Sequence, residues 1–149
     1  MKDVENLPVM QKAIHVARVP MFQDLAVDEI ARLAAETIET EYEAGETIGM
    51  EHAAGHSFHI LIEGVCETRA GDTVLRRVVA PDVFGLPSML DIEDSDNVSV
   101  TVIEKSRALR VQKTDFEILL ADYPQISLGI LRKLARVVME LTKRVEGQQ

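Results

Sequence analysis

The segment VFGLPSMLDIEDSDNVSVTVIE, residues 83–104, decides how this chain is interpreted. It passes from a strand-like end into Gly85 and then into a short helix start. A glycine before a first helical turn is a typical seat for a phosphate, because backbone N–H groups and the helix dipole both favour an anion there. The segment contains no Arg or Lys, however, and its loop carries four acids, Asp91, Glu93, Asp94 and Asp96. The backbone pattern therefore favours an anion that the side chains would repel.

Length and composition indicate one globular domain spanning residues 1–149. Hydrophobic residues make up 46% of the chain and charged residues 28%, which is typical of globular proteins. No apolar run approaches the ~20 residues that span a bilayer, and the N-terminal MKDVENLP lacks a signal-peptide layout. We therefore expect no direct membrane insertion. The lone cysteine, Cys66, cannot form an internal disulfide, so a cytoplasmic location is expected.

The formal net charge of −9 is unevenly distributed. Residues 132–149 contain five basic and two acidic side chains, a net +3, so the first 131 residues carry −12. A field of that sign repels a polyanion, and we expect no nucleic-acid binding by the body of the chain. The basic tail is interpreted as the solvated face of a final helix, where cations suit the helix dipole.

Hydrophobic periodicity divides the chain into a helical N-terminus (3–36), a strand block (37–112) and C-terminal helices (114–146). In the first region, Val19-Pro20 separates two helices because a residue before proline avoids the helical conformation. In the second, short alternating segments are separated by Gly- and Pro-containing turns. These segments are 37–42, 57–64, 65–69, 73–79, 98–104 and 107–112. Such spacing is typical of a β-sandwich or barrel.

The last third of the chain predicts two helices. Thr114 and Glu117 match a capping box at the start of the first, which Tyr123-Pro124 ends. The second runs from about 125 to 146, and its apolar residues recur at spacings of 3, 4, 3 and 4. These are Leu131, Leu134, Val138, Leu141 and Val145. The spacing predicts a two-heptad dimer seam, with packing on the chain's own barrel as the alternative.

Four further motifs carry a resemblance to a known family. They are Y-x-A-G-E-T-I (42–48), F-H-I-L-I-E-G (58–64), P-D-V-F-G (81–85) and S-V-T-V (99–102). Together they resemble the cyclic nucleotide-binding domain family over about residues 13–140. The resemblance implies a jelly-roll barrel with flanking helices and a phosphate-binding cassette, in which a Glu binds the ribose hydroxyl and an Arg neutralises the phosphate.

Carried onto this chain, the cassette positions are Phe84, Gly85, Leu86, Pro87, Ser88, Val98, Ser99 and Thr101. Leu86 stands at the Glu position and Val98 at the Arg position. Losing a buried charged contact costs ~2–5 kcal/mol and losing the ribose acceptor adds roughly 1–3 kcal/mol. Binding of cAMP or cGMP should therefore be at least roughly a hundredfold weaker than micromolar. The alternative is that a cation enters the pocket from a neighbouring strand: Arg76, Arg77, Lys105 or Arg107.

Histidines suggest a second alternative, a metal-dependent jelly-roll enzyme of the cupin type. His52, His56 and His59 lie near Glu63 in the sequence. However, His56 and His59 are three residues apart and would point to opposite faces of a strand, so no metal site is predicted. The sequence also shows no Ser-His-Asp order, nucleotide P-loop or paired-acid motif that would indicate catalysis.

The sequence thus predicts a non-catalytic regulatory or sensor module that uses no cofactor, with a small-molecule effector of unknown identity. A ligand-free scaffold or dimerisation domain is the main alternative, and the metal-dependent enzyme is a weaker one. The expected partner is a second copy, bound through the C-terminal helix, or a separate domain. No DNA-reading helix-turn-helix follows the last predicted helix, so we do not expect a transcription factor from this chain by itself.

Overall fold

A computed structural model describes residues 2–4, 6–49, 56–93 and 97–147. Its helices are α1 (Val9–Ala17), α2 (Val27–Ala35), α3 (Leu86–Met89), α4 (Lys113–Asp122) and α5 (Pro124–Gly147), with a 3-10 helix at Pro20–Phe22. Its strands are β1 (Lys2–Val4), β2 (Ile38–Tyr42), β3 (Thr47–Gly49), β4 (Ser57–Ala70), β5 (Thr73–Val79), β6 (Asp82–Phe84) and β7 (Val98–Gln112).

Over the described ranges the strands form one antiparallel sheet in the order β1-β2-β7-β4-β5. β3 adds to β7 and β6 adds to β4, so the two long central strands each pair with several partners. Helices precede the main strands in the chain and follow them, and the last helix, α5, is 24 residues long. The predicted jelly roll with flanking helices and a long C-terminal helix is confirmed.

The apolar core has two parts on opposite faces of β4. Phe58 and Ile60 face the helices, and Phe58 stacks on Phe116 of α4 with ring centroids 5.0 Å apart. Leu61 and Cys66 belong to the second part, inside the rolled sheet. Alternation along a strand sends successive side chains to opposite faces, so β4 is buried on both sides.

The two longest strands were each predicted as two shorter ones. Segments 57–64 and 65–69 form the single strand β4, and 98–104 and 107–112 form the single strand β7. Gly64, at φ +102°, bends β4, and the pairing register with β7 shifts on either side of it. A Cβ at this position would lie 2.7 Å from the Lys105 carbonyl oxygen, so only glycine fits the bend.

The helical regions also differ from the sequence prediction. Residues 3 and 4, predicted as the start of the helical region, lie in strand β1 instead, because β1 pairs with β2 and Asp3 accepts hydrogen bonds from Thr40 and Arg110. The capping box predicted at Thr114 is absent: α4 begins at Lys113, directly after β7, and Gln112 caps it without a side-chain hydrogen bond. No helix in the described ranges is long and apolar enough to cross a membrane.

Candidate ligand-binding site

The candidate site is built around the turn from β6 into α3. Gly85 joins the two at φ +98°, a left-handed conformation that favours glycine. A Cβ on Gly85 would lie 2.6 Å from the Ser57 carbonyl oxygen of β4. The predicted Phe84-Gly85 turn therefore exists because the backbone must pass unusually close to a neighbouring strand.

The first turn of α3 offers fewer backbone N–H donors than an ordinary helix start does. Pro87 lies in this turn and has no N–H, so the turn presents one amide fewer to an anion. Ser88 is buried, and Met89 is bonded back to the Gly85 carbonyl at 3.1 Å. Neither Pro87 nor Met89 therefore contributes a free backbone N–H at this turn.

A buried histidine, His59, packs against Phe84. The His59 ring stacks on the Phe84 ring with centroids 4.5 Å apart and planes 12° apart. His59 Nδ1 lies 3.1 Å from the Ser57 carbonyl oxygen, and His59 Nε2 lies 2.9 Å from the Tyr42 hydroxyl. Since a carbonyl can only accept, Nδ1 carries the proton and Nε2 accepts from Tyr42. Burial disfavours the charged form of each side chain. It therefore lowers the pKa of His59 to about 4 and raises the pKa of Tyr42.

The contacts of His59 bear directly on the alternative of a metal-dependent enzyme of the cupin type. Both ring nitrogens of His59 are engaged inside the protein, whereas His56 and Glu63 are exposed. His52 lies outside the described residues. Across the described ranges, no group of three or more His, Cys, Asp or Glu side chains is placed to hold a metal ion. The Cys66 thiol is buried, and burial raises its pKa, which disfavours the reactive thiolate.

A cavity of about 410 Å³ lies between this turn and the C-terminal helix. Its walls come from four parts of the chain: β4–β5, the β6–α3 turn, β7 and α5. The lining residues are Thr68, Leu75, Arg76, Val83, Phe84, Gly85, Leu86, Pro87, Ser88, Leu90, Ile92, Val98, Val100, Lys133, Leu134 and Val137. Most of these side chains are apolar, and the volume falls within the ~300–1,000 Å³ typical of small-molecule sites.

Six of the eight predicted cassette residues line this cavity. They are Phe84, Gly85, Leu86, Pro87, Ser88 and Val98. Ser99 and Thr101 do not, because side chains alternate along β7 and the cavity-facing residues are Val98 and Val100. Val100 was not among the predicted cassette residues, although the same alternation indicates it once Val98 is placed at the cavity.

The contribution of α5 to the cavity was not predicted, although packing of its apolar residues on the barrel was the stated alternative to a dimer seam. Lys133, Leu134 and Val137 are spaced i, i+1 and i+4 and lie on one face of the helix, over the cavity. Leu134, predicted as part of a dimer seam, therefore lies at the cavity and is 43% exposed. The other four seam residues are 51–61% exposed: Leu131, Val138, Leu141 and Val145. The helix is anchored at its start, where Ile126 and Ile130 are buried.

Two cations meet one carboxylate at the edge of the cavity. Lys133 Nζ lies 2.6 Å from Asp82 Oδ1, and Arg76 Nη1 lies 3.4 Å from Asp82 Oδ2. Arg76 also donates to the Val83 carbonyl oxygen. Asp82 Oδ1 in turn accepts from the Val83 amide at 2.8 Å.

Of the four cations predicted as alternative partners for a ligand in this pocket, only Arg76 lines the cavity. Arg77 is exposed, Lys105 pairs with Glu43 at 3.7 Å, and Arg107 pairs with Glu41 at 2.8 Å. In the acidic loop, Asp91 pairs with Lys113, while Asp94 and Asp96 lie outside the described residues.

Comparison with known proteins agrees with this geometry. The profile of the cyclic nucleotide-binding domain matches residues 39–123, more than half of the chain. The CRP-like cAMP-activated global transcriptional regulator of Mycobacterium tuberculosis is 31% identical over 126 residues. That match covers 81% of this chain and 56% of the relative, so the chain spans little more than half of the relative's length.

Solved structures show the same fold. The catabolite activator protein of Thermus thermophilus superposes with a TM-score of 0.70 at 21% identity, covering 85% of this chain and 62% of that one. The sensor domain of the transcriptional regulator DNR from Pseudomonas aeruginosa gives 0.68 at 18% identity, covering 93% and 92%. With its β6–α3 turn, its rolled antiparallel sheet and the match over residues 39–123, the chain belongs to the cyclic nucleotide-binding domain family.

Proposed function

We propose that this chain is a non-catalytic sensor module in which a small molecule, bound between the β6–α3 turn and α5, controls the position of α5. The observation that supports this most is that Lys133, Leu134 and Val137 form a wall of the cavity. An occupant would therefore contact the helix directly. A ligand that binds one position of the helix better than another shifts the population toward that position.

The proposed module binds cyclic nucleotides weakly. Leu86 and Val98, which line the cavity, offer neither a ribose acceptor nor a phosphate partner. Arg76, the nearest replacement, is already engaged by Asp82 and the Val83 carbonyl. Pro87 removes one further donor from the first turn of α3. These features together support a ligand other than cAMP or cGMP.

Restoring the charges should restore cyclic nucleotide binding. We predict that Leu86→Glu/Val98→Arg, melted with 1 mM cAMP, is stabilised by at least about 3 °C more than the native chain is. The matched control is Ile118→Glu/Val74→Arg, which makes the same changes at exposed positions outside the cavity. A shift no larger in the cassette variant than in the control would contradict the assignment of residues 86 and 98.

A homodimer through α5 is the second part of the proposal, and binding of a separate partner domain is its alternative. The exposed side chains of Leu131, Val138, Leu141 and Val145 support it, because an apolar stripe on a projecting helix is typical of a coiled-coil seam. If the chain is a ligand-free scaffold, its function would be dimerisation or partner binding through this surface.

The relative from Mycobacterium tuberculosis is named as a transcriptional regulator, but this chain matches little more than half of it. We propose that the domain itself does not bind nucleic acid, since its first 131 residues carry a strongly negative net charge. The single buried cysteine supports a reducing compartment, the cytoplasm.

A further inference from the structure

We propose that the cavity between the β6–α3 turn and α5 binds an amphipathic monoanion, a carboxylate with an apolar body about as long as a medium-length alkyl chain. This inference rests on the proposed sensor function and names the chemical class of its ligand. Two independent features carry it: the apolar walls of the cavity and the pair of cations at its edge.

The walls supply the site for the apolar body. Leu75 of β5 and Ile92, after α3, are each 55% exposed, although both line the cavity. Leu90, Leu134 and Val137 are 42%, 43% and 40% exposed around the same space. Apolar surface on this scale, gathered around one concavity, marks a binding site, because covering it releases water from apolar groups.

The edge supplies the site for the head group. Arg76 and Lys133 carry two positive charges, and Asp82 between them carries one negative charge. The cluster therefore has a surplus of one positive charge, which matches a singly charged anion better than a dianion. Because Arg76 is held by Asp82 and the Val83 carbonyl, the donors open to a ligand are those of Lys133. A cyclic phosphodiester is also a monoanion, so discrimination against cAMP rests on the apolar walls and not on this charge. Lys133 has three N–H donors, and Asp82 accepts from its ammonium at 2.6 Å, so a ligand carboxylate can share the same ammonium.

The geometry also argues against a purely polar occupant. The polar side chains at the cavity wall, among the described residues, are Thr68, Ser88, Arg76 and Lys133. A sugar or a purine needs several hydrogen-bond partners, and leaving its polar groups unpaired in an apolar site is costly. An alkyl body has no such requirement.

The test uses a fluorescent reporter inside the cavity. The chain has no tryptophan, so Leu75→Trp introduces a single one at a partly exposed lining position. Hexanoate, octanoate, decanoate and methyl decanoate are titrated against this variant, and calorimetry with the unmodified chain checks that the substitution does not create the site. We expect the dissociation constant to fall roughly tenfold for each two methylenes added, as burial of a methylene predicts.

Charge is tested with two matched variants. Lys133→Met keeps the apolar stem and removes the cation, and we expect it to weaken decanoate binding at least tenfold. Arg136→Met removes an exposed cation one turn further along α5 and outside the cavity lining, so decanoate should bind it as it binds the unmodified chain. Methyl decanoate, which lacks the charge, should bind the unmodified chain at least tenfold more weakly than decanoate.

Each opposite result overturns a stated part of the inference. Equal affinity for decanoate and its methyl ester would show that the site does not select an anionic head group. An affinity independent of chain length would show that it does not bury an apolar body. Failure of every probe to bind at millimolar concentration would overturn the inference as a whole. None of these results touches the cassette assignment, which is judged separately by the cAMP response of Leu86→Glu/Val98→Arg.

Discussion

Gly85 shows how one residue determines the shape of the site. It needs both a positive φ and the absence of a Cβ, because the Ser57 carbonyl oxygen occupies the space that a Cβ would take. Gly45 offers a natural comparison: its φ is +92°, and nothing lies within 4 Å of a Cβ placed there. The two glycines therefore share the conformational requirement and differ in the steric one.

We predict that Gly85→Ala destabilises the protein by at least about 1 kcal/mol more than Gly45→Ala does. Conformational strain costs both variants roughly 1–2 kcal/mol, and crowding against Ser57 adds roughly 1–3 kcal/mol at residue 85 only. Urea unfolding of the two variants and the native chain measures the difference. Equal free energies of unfolding would show that β4 can move away from the turn.

His59 makes stability depend on pH. Burial lowers its pKa to about 4 in the folded chain, against about 6.5 in the unfolded chain. Below pH 6.5 the unfolded state binds a proton that the folded state does not, so stability is full above pH 6.5 and falls toward pH 4. At about 1.4 kcal/mol per pH unit, the loss amounts to roughly 3 kcal/mol.

We predict that His59→Gln removes most of this pH dependence while keeping an acceptor for the Tyr42 hydroxyl. The free energy of unfolding of both chains, measured by urea at several pH values between 4 and 7.5, gives the two slopes. The remaining histidines and carboxylates are common to both chains, so the difference reports on His59. Parallel slopes would contradict the buried neutral histidine.

At the scale of elements, α5 has two different ends. Its start is held by the buried side chains of Ile126 and Ile130, and Gly129 packs directly on the Met21 carbonyl of the 3-10 helix. Its middle covers the cavity, and its last turns expose apolar side chains. A helix anchored at one end, with the cavity along its middle, would transmit occupancy of the proposed site to the proposed partner at its other end.

We predict that Leu141→Glu raises the dissociation constant of the proposed homodimer at least about a hundredfold, since it removes two buried leucines worth roughly 1.5 kcal/mol or more each. Met139→Glu makes the same kind of change two residues away, at a side chain that is 58% exposed and outside the proposed seam. Sedimentation equilibrium measures both variants against the native chain. If both variants weaken the dimer equally, or if the native chain is a monomer, the seam is wrong.

For the whole molecule, local patterns predicted much of the fold. Alternation identified most strands, Tyr123-Pro124 ended a helix where it does end, and Phe84-Gly85 marked the turn into α3. Local patterns failed where a long element bends or follows another without a loop. Gly64 made β4 look like two strands, and the capping box at Thr114 was not used because β7 runs directly into α4.

The site was harder to predict than the fold, because most of its walls meet only through tertiary packing. Motifs placed Leu86 and Val98 in the predicted cassette, and both line the cavity, whereas Arg76 and Lys133 come from distant parts of the sequence and meet at Asp82. Nothing in the local sequence of α5 distinguishes Leu134, at the cavity, from Leu131, which is 61% exposed. The missing information is the rotation of α5 about its own axis, which the packing of Ile126 and Ile130 determines.

The central claim is that this member of the family has exchanged the charged contacts of a cyclic nucleotide site for an apolar cavity. Calorimetric titration of cAMP into the purified native chain tests it most directly. We expect no binding, or a dissociation constant weaker than about 100 µM, because Leu86 and Val98 cannot replace the two charged contacts. A dissociation constant in the low micromolar range would contradict the claim.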